Sequence, residues 1–191
     1  MESMIEFLVA NDVIDQDKTS IYRYGLNQLA FLALHLLTYG LLAYFFGEMK
    51  QLLVFLVLFI PLRIFAGGYH AETRTACYVI SVMIVFAALS VLRHATSNLP
   101  IWMILILSSY SVIFFLSPRE SINKPLCEIE KKTYRRSSLI LLNGECLIIG
   151  FSLFYGEYWL FQCAVLALVA VALLLVVDWI FSISGKRQEV N

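Results

Sequence analysis

The chain has 191 residues, the length of one ordinary domain, yet 60% of them are hydrophobic and only 15% are charged. Soluble domains sit near about 45–50% apolar and about 25% charged, so a water-soluble fold of this size could not hide so much apolar surface, and the bilayer is the better solvent. The formal net charge is zero, which removes the electrostatic footing for nucleic-acid binding.

In chain order, the first segment is MESMIEFLVANDVIDQDK, with five acids and one lysine. It lacks the basic start and the long apolar stretch of a secretory signal peptide. Met4, Ile5, Leu8 and Val9 follow helical spacing, with Glu2 and Glu6 off that stripe. Two readings are open: a short amphipathic helix lying in the membrane interface, or a frayed terminus. Long apolar runs follow near 28–46, 50–66, 75–92, 99–116, 138–156 and 158–180. A helix needs about 20 apolar residues to cross a hydrocarbon core. The expected fold is therefore all-α, a polytopic integral membrane protein with about six transmembrane helices and a short N-terminal interfacial helix. It forms a single domain, with an N-terminal segment over 1–27, a loop and helix start over 63–77 and a basic loop over 117–137. Pro61 predicts a short or bent second span. Gly156-Glu157 predicts a tight turn and an antiparallel hairpin of the last two spans.

Lys and Arg orient the chain. With the N-terminus inside, Lys18, Arg23, Arg63, Arg74, Arg119, Lys124, Lys131, Lys132, Arg135, Arg136, Lys186 and Arg187 all fall on the cytoplasmic side, and only Lys50 and Arg93 fall outside. Both termini and the segment 63–77 are expected to face the cytoplasm.

That segment, RIFAGGYHAETRTAC, is a polar island between two apolar runs. Each glycine of Gly67-Gly68 disfavours a helix interior by about 1 kcal/mol against alanine. The pair lets the chain turn and lets a substrate backbone come close. Thr73 or Thr75 can cap the next helix by accepting a backbone N–H. Either choice puts Cys77 in the first turn, where the helix dipole favours a thiolate. His70 supplies a base, and a nucleophile with a base is the minimum equipment for acyl transfer. On one continuous helix the two residues would be separated by a rise of about 10.5 Å. If they cooperate, the backbone between them must leave the helix. The plain structural reading competes: a cysteine at a helix end is usually an inert small hydrophobe, and Arg63 and Arg74 are explained as topology markers. His70, Glu72 and Cys77 are all metal-ligand types, but their spacing matches no known site, so neither a metal nor another cofactor is expected. HExxH, GxSG and GxGD are absent, which argues against other intramembrane proteases.

GGYHAETRTAC resembles the catalytic signature of the accessory gene regulator B (AgrB) family of membrane peptidases, a GG-x-HA element with a cysteine seven residues beyond the histidine. Gly67, Gly68, His70, Ala71 and Cys77 match it position for position. NKPLCEIEKKTYRRSS, over 123–138, is similar to a second family stretch, and the length and six-span layout also agree. Ser117-Pro118-Arg119-Glu120 departs from the Pro-Val-Asp-type run of many relatives, so no carboxylate role is carried over there. The resemblance implies quorum-sensing peptide processing: a membrane cysteine endopeptidase with Cys77 as nucleophile and His70 as general base. It implies an AgrD-like precursor peptide as partner, cut near its C-terminus through an acyl-enzyme thioester and cyclised to a thiolactone or lactone autoinducing peptide. It also suggests a homodimer, although no heptad or GxxxG face supports one.

Supporting residues are expected around this pair. Backbone N–H groups near Thr75–Cys77 are candidate oxyanion donors. Glu72 reads either as a third catalytic group or as a solvated charge. Glu145 lies inside the fifth span, and intramembrane acids are functional suspects. It could orient His70, pair with Arg63 or Arg74, contact substrate, or make a structural interhelical hydrogen bond. Lys131, Lys132, Arg135 and Arg136 set topology and touch anionic membrane lipids, and the acidic tails of the family's substrates suggest that they also hold the precursor. Asp178 reads as interfacial, His35 as structural, and Cys127, Cys146 and Cys163 as non-catalytic. The competing functional classes are a small peptide transporter with Glu145 as coupling carboxylate, and a scaffold without chemistry.

Overall fold

A computed structural model describes residues 19–69, 71, 73–94, 98–119 and 127–188. Among them there are six helices and no strands: α1 (Thr19–Phe46), α2 (Met49–Ala66), α3 (Arg74–His94), α4 (Leu99–Leu116), α5 (Glu128–Phe154) and α6 (Tyr158–Gln188). All six are long and apolar enough to cross a membrane. The shortest, α2 and α4, have 18 residues each, which at about 1.5 Å per residue nearly matches a hydrocarbon core of about 30 Å. The interfacial helix expected before residue 19 lies outside the described residues. The chain divides into two compact units, Met1–Leu42 and Ala43–Asn191.

Within the second unit, α6 is the central element. It packs against α2, α4 and α5, and more lightly against α3. Its sequence explains this. From Cys163 to Val177 no charged or hydrogen-bonding side chain beyond the thiol interrupts the run, and a helix that is apolar all round has no face to offer to water. Ala164, Ala167, Ala170 and Ala172 are buried, and such small residues let neighbouring backbones approach. Leu168, Val171 and Leu175 fill the core with Leu62, Ile113, Leu142 and Phe161. The surrounding helices keep their outer faces apolar: Leu107, Phe115, Leu147 and Phe154 are all exposed, the pattern of a bundle solvated by lipid rather than water.

Several helices overrun the expected spans, because backbone hydrogen bonding continues past the apolar stretch into the interface. α1 begins at Thr19 rather than 28, and α6 continues to Gln188. The largest correction concerns α5. Lys131, Lys132, Arg135 and Arg136, expected in a loop, form its first turns. The start at Glu128 is held by a backward hydrogen bond from the Cys127 N–H to Glu130 Oε2 at 2.9 Å, and Glu128 and Glu130 complement the positive end of the helix dipole. The second span is short as expected and keeps Pro61 within it. The predicted turn between the last two spans is present, with the Glu157 N–H bonded to the Ser152 carbonyl at 2.8 Å. Alternation of the five helices α2 to α6 brings residues 67–69, residues 117–119 and the end of α6 to the same end of this unit.

Candidate active site

The helix breaks where cooperation of His70 and Cys77 requires it to break: α2 stops at Ala66 and α3 starts at Arg74. Gly67 and Gly68 make the break, with φ of 78° and 113°, a region that L side chains rarely adopt. Their lack of side chains has a second use. A Cβ on Gly67 would stand 2.3 Å from the Arg119 carbonyl oxygen, and one on Gly68 would stand 3.2 Å from the backbone of Leu174. The close approach expected for a substrate backbone is thus made by the chain's own backbone. Gly68 is buried, between the Leu174 backbone of α6 and the Arg63 guanidinium.

Arg63, in the last turn of α2, ties this loop down. Its two terminal nitrogens donate to the carbonyls of Gly67 and Tyr69. The Tyr69 N–H donates in turn to the Leu174 carbonyl at 3.0 Å, and the Tyr69 ring lies 5.2 Å from that of Phe181. The guanidinium of Arg63 is also in electrostatic range of Cys77 and of Asp178. Arg63 is therefore more than a topology marker: it pins the glycine loop.

Of the two candidate caps, Thr73 serves. Its Oγ1 accepts from the Ala76 N–H at 3.2 Å, and its carbonyl accepts from the Cys77 N–H at 3.0 Å. Cys77 accordingly closes the first turn of α3, and its side chain is exposed. Both bonds bear on the oxyanion: Ala76 and Cys77 N–H are engaged, which leaves Thr75 from the expected range, since the first N–H groups of a helix have no partner within it. Thr73→Ala is expected to weaken the start of α3 by about 1 kcal/mol, read as faster amide exchange over 74–78 with the rest of the bundle unchanged. His70 and Glu72 lie outside the described residues. Arg74 is exposed at the first position of α3.

The remaining candidates fall in two places. Lys131, Lys132 and Arg135 line a cleft of about 660 Å³ with Pro118, Glu128, Ile129 and Thr133. Lys131 pairs with Glu128 at 3.1 Å, and Arg135 donates to the Ser117 carbonyl and sits over the Phe114 ring. Lys132 and Arg136 are exposed. Glu145 is instead buried, 4% exposed, within α5. Its Oε2 has no hydrogen-bond partner among the described residues, while Arg63 spends its terminal nitrogens on loop carbonyls. The expected Glu145–Arg63 pairing is not among the contacts formed.

Sequence reasoning missed two pairs at this end. Arg119 pairs with Asp178, its Nε donating to Oδ2 at 2.7 Å, and the buried hydroxyls of Ser117 and Ser138 share a hydrogen bond of 3.0 Å. Charged and hydroxyl residues near span ends look like ordinary interfacial polarity; only the chain path brings them together. Among the described residues no group of three or more His, Cys, Asp or Glu side chains could hold a metal ion.

Known proteins place this arrangement. The chain is 32% identical to protein FsrB of Enterococcus faecalis over 119 residues, which is 61% of this chain and 48% of that protein; it therefore spans about half the length of that relative. It is 23% identical to AgrB-like protein 1 of Clostridium perfringens over 175 residues, covering 92% of this chain and 93% of the relative. No solved structure matches the chain. The family model for Accessory gene regulator B matches residues 1–181, and on that match, extending over the glycine loop, Cys77 and all of the helices but the last turns of α6, the chain belongs to the accessory gene regulator B family.

Proposed function

We propose that the protein is a bacterial membrane cysteine endopeptidase and cyclase that processes an AgrD-like precursor peptide in quorum sensing. One observation carries the reading: an exposed Cys77 closes the first turn of α3 directly after a loop that Arg63 ties down, with the Arg63 guanidinium in electrostatic range of that cysteine. An exposed thiol in the first turn of a helix is open to a substrate carbonyl and becomes a nucleophile once a base takes its proton.

In this reading His70 takes the proton of Cys77 as Sγ attacks the scissile carbonyl, and the oxyanion meets the Thr75 N–H. The carbon–nitrogen bond breaks, His70 returns the proton to the departing amine, and a thioester to Cys77 remains. A cysteine or serine within the precursor attacks that thioester, the ring closes, and Cys77 regains its proton. Thioester exchange is nearly isoenergetic, so the intermediate survives only where water is kept away, a condition that suits a site at the membrane boundary. The positive-inside distribution supports a site and both termini at the cytoplasmic face. The basic first turns of α5 contact anionic lipid there, and their cleft receives the acidic end of the precursor.

The experiment is co-expression with an AgrD-like precursor followed by mass spectrometry of tail and ring. Cys77→Ser and His70→Ala should both abolish tail release at unchanged expression; release by Cys77→Ser at the normal rate sinks the proposal. A second reading, a membrane peptide exporter without covalent catalysis, draws on the buried Glu145, whose Oε2 has no hydrogen-bond partner among the described residues. It wins if Glu145→Gln alone blocks peptide movement and Cys77→Ser changes nothing.

A further inference from the structure

Behind the glycine loop lies an ion pair whose placement is too particular for a generic surface contact. Arg119 donates from Nε to Asp178 Oδ2 at 2.7 Å and from Nη2 to Ser182 Oγ at 2.8 Å. Its side chain is 22% exposed and that of Asp178 18%. Two directed bonds from one planar guanidinium fix its orientation as well as its distance, which a lone exposed pair does not achieve. They thereby anchor the backbone from Ser117 to Arg119 against α6.

Both anchored pieces touch the loop. On one side the Arg119 N–H donates to the Ala66 carbonyl at 3.0 Å, and the Arg119 carbonyl fills the space beside Gly67. On the other, one turn before Asp178, Leu174 receives the Tyr69 N–H and lies against Gly68. One turn beyond Leu174 along the same helix, Asp178 is in electrostatic range of Arg63, the residue that holds the carbonyls of Gly67 and Tyr69. Asp178 thus pairs with the arginine that closes the 117–119 segment onto α6 and feels the charge of the one that grips the loop from α2.

We infer that Arg119 and Asp178 are positioning residues for the peptide-cleaving reaction: their ion pair clamps 117–119 and the end of α6 on either side of Gly67–Tyr69, and so fixes the backbone leading into His70 relative to Cys77. The inference rests on the peptidase reading of His70 and Cys77, and two separate readouts keep the two apart.

The first readout is hydrogen–deuterium exchange of the full-length protein in detergent. Arg119→Gln and Asp178→Asn should each speed exchange of the Tyr69 N–H by about tenfold or more while the middle of α4 and α5 keeps its protection. The second is precursor cleavage. Both variants should lose about tenfold or more in kcat, since small misplacements of reacting groups are costly, with KM within about threefold of the parent. Arg119→Lys and Asp178→Glu should recover most of the lost rate, and the exchanged pair Arg119→Asp/Asp178→Arg should exceed either single reversal. A general structural loss would instead raise exchange throughout and lower folded protein without this rescue. Should the neutral variants fail to accumulate, Ser182→Ala, which removes the second directed bond of Arg119, carries the test: faster Tyr69 exchange with lowered kcat is expected, parental exchange overturns the clamp, and faster exchange at parental kcat overturns its role in the reaction. Unchanged Tyr69 exchange in the neutral variants also overturns the clamp, and faster exchange at unchanged kcat overturns its role in the reaction. If the parent protein cleaves no precursor through Cys77, the peptidase reading falls and the positioning role with it, while the exchange data still report whether the clamp holds the loop.

Discussion

Gly67→Ala is expected to disable the protein, with precursor cleavage lost and the loop end of the bundle destabilised. Gly67 has φ 78° and ψ −149°, a backbone region that is essentially restricted to glycine and costs other residues about 1–3 kcal/mol. The new methyl would also meet the Arg119 carbonyl oxygen at 2.3 Å and the Arg119 nitrogen at 3.0 Å. These are backbone atoms, and they cannot swing aside as a side-chain tip could. The Arg119 N–H is bonded to Ala66 and its guanidinium to Asp178, so relief requires breaking one of those contacts. Overpacking of this kind adds about 1–3 kcal/mol. Thermal unfolding in detergent and precursor cleavage measure the two consequences. Gly150→Ala is the control: a Cβ there meets nothing within 4 Å and alanine favours the helix interior, so its cleavage should match the parent and its unfolding midpoint should be no lower. A Gly67→Ala protein with parental stability and rate would show that the loop does not hold this geometry in the membrane.

The contrast between these two glycines shows what the chain reveals by itself. Apolar runs long enough to span a bilayer are a local property, and the six helices follow directly from them. The break at Gly67-Gly68 is local too, because glycine acts on its own backbone. So is the choice between two threonine caps, which narrows to a pair of residues before any coordinates. The partners of the break are not local. Arg119 and Leu174 stand 52 and 107 positions beyond Gly67, and no periodicity connects them to it. Asp178 and Arg119 looked like boundary charges because membrane helices commonly end in such residues. The basic cluster over 131–136 misled for a different reason. Hydropathy marks where lipid begins, whereas a helix ends where its hydrogen bonds do, and the backward bond from Cys127 to Glu130 starts α5 well before its apolar stretch. Serine, threonine, aspartate and asparagine are the usual capping residues, so a cysteine in that position gave little warning.

Glu145→Met is expected to make the protein more stable. On α5 the residues Ser138, Leu142, Glu145, Ile149 and Ser152 are buried, a helical stripe that faces the core. Ser152 spends its hydroxyl on the Ile149 carbonyl at 2.9 Å and Ser138 on Ser117 and the Arg135 carbonyl. Glu145 has no such relief for Oε2, and a buried polar atom left without a partner costs about 1–3 kcal/mol. It lies seven residues along α5 from Ser138, a rise of about 10.5 Å, deeper in the bundle than the polar end where Arg63 and Arg119 are already occupied. Methionine nearly conserves the volume and removes the stranded oxygen, so the unfolding midpoint in detergent should rise, whereas Glu145→Lys should prevent accumulation of folded protein. Glu145→Gln keeps hydrogen-bonding capacity without an acid, so its cleavage rate separates the acid from the shape. A stabilised Met variant that still releases the precursor tail would make Glu145 a tolerated defect of the core. A stabilised variant that no longer releases it would follow the usual exchange of stability for function at a working site, and would assign the missing partner of Oε2 to the peptide. A fall in the midpoint by several degrees would mean that the carboxyl is already satisfied in the folded protein by a group beyond the described core, since nothing within that core could supply that loss.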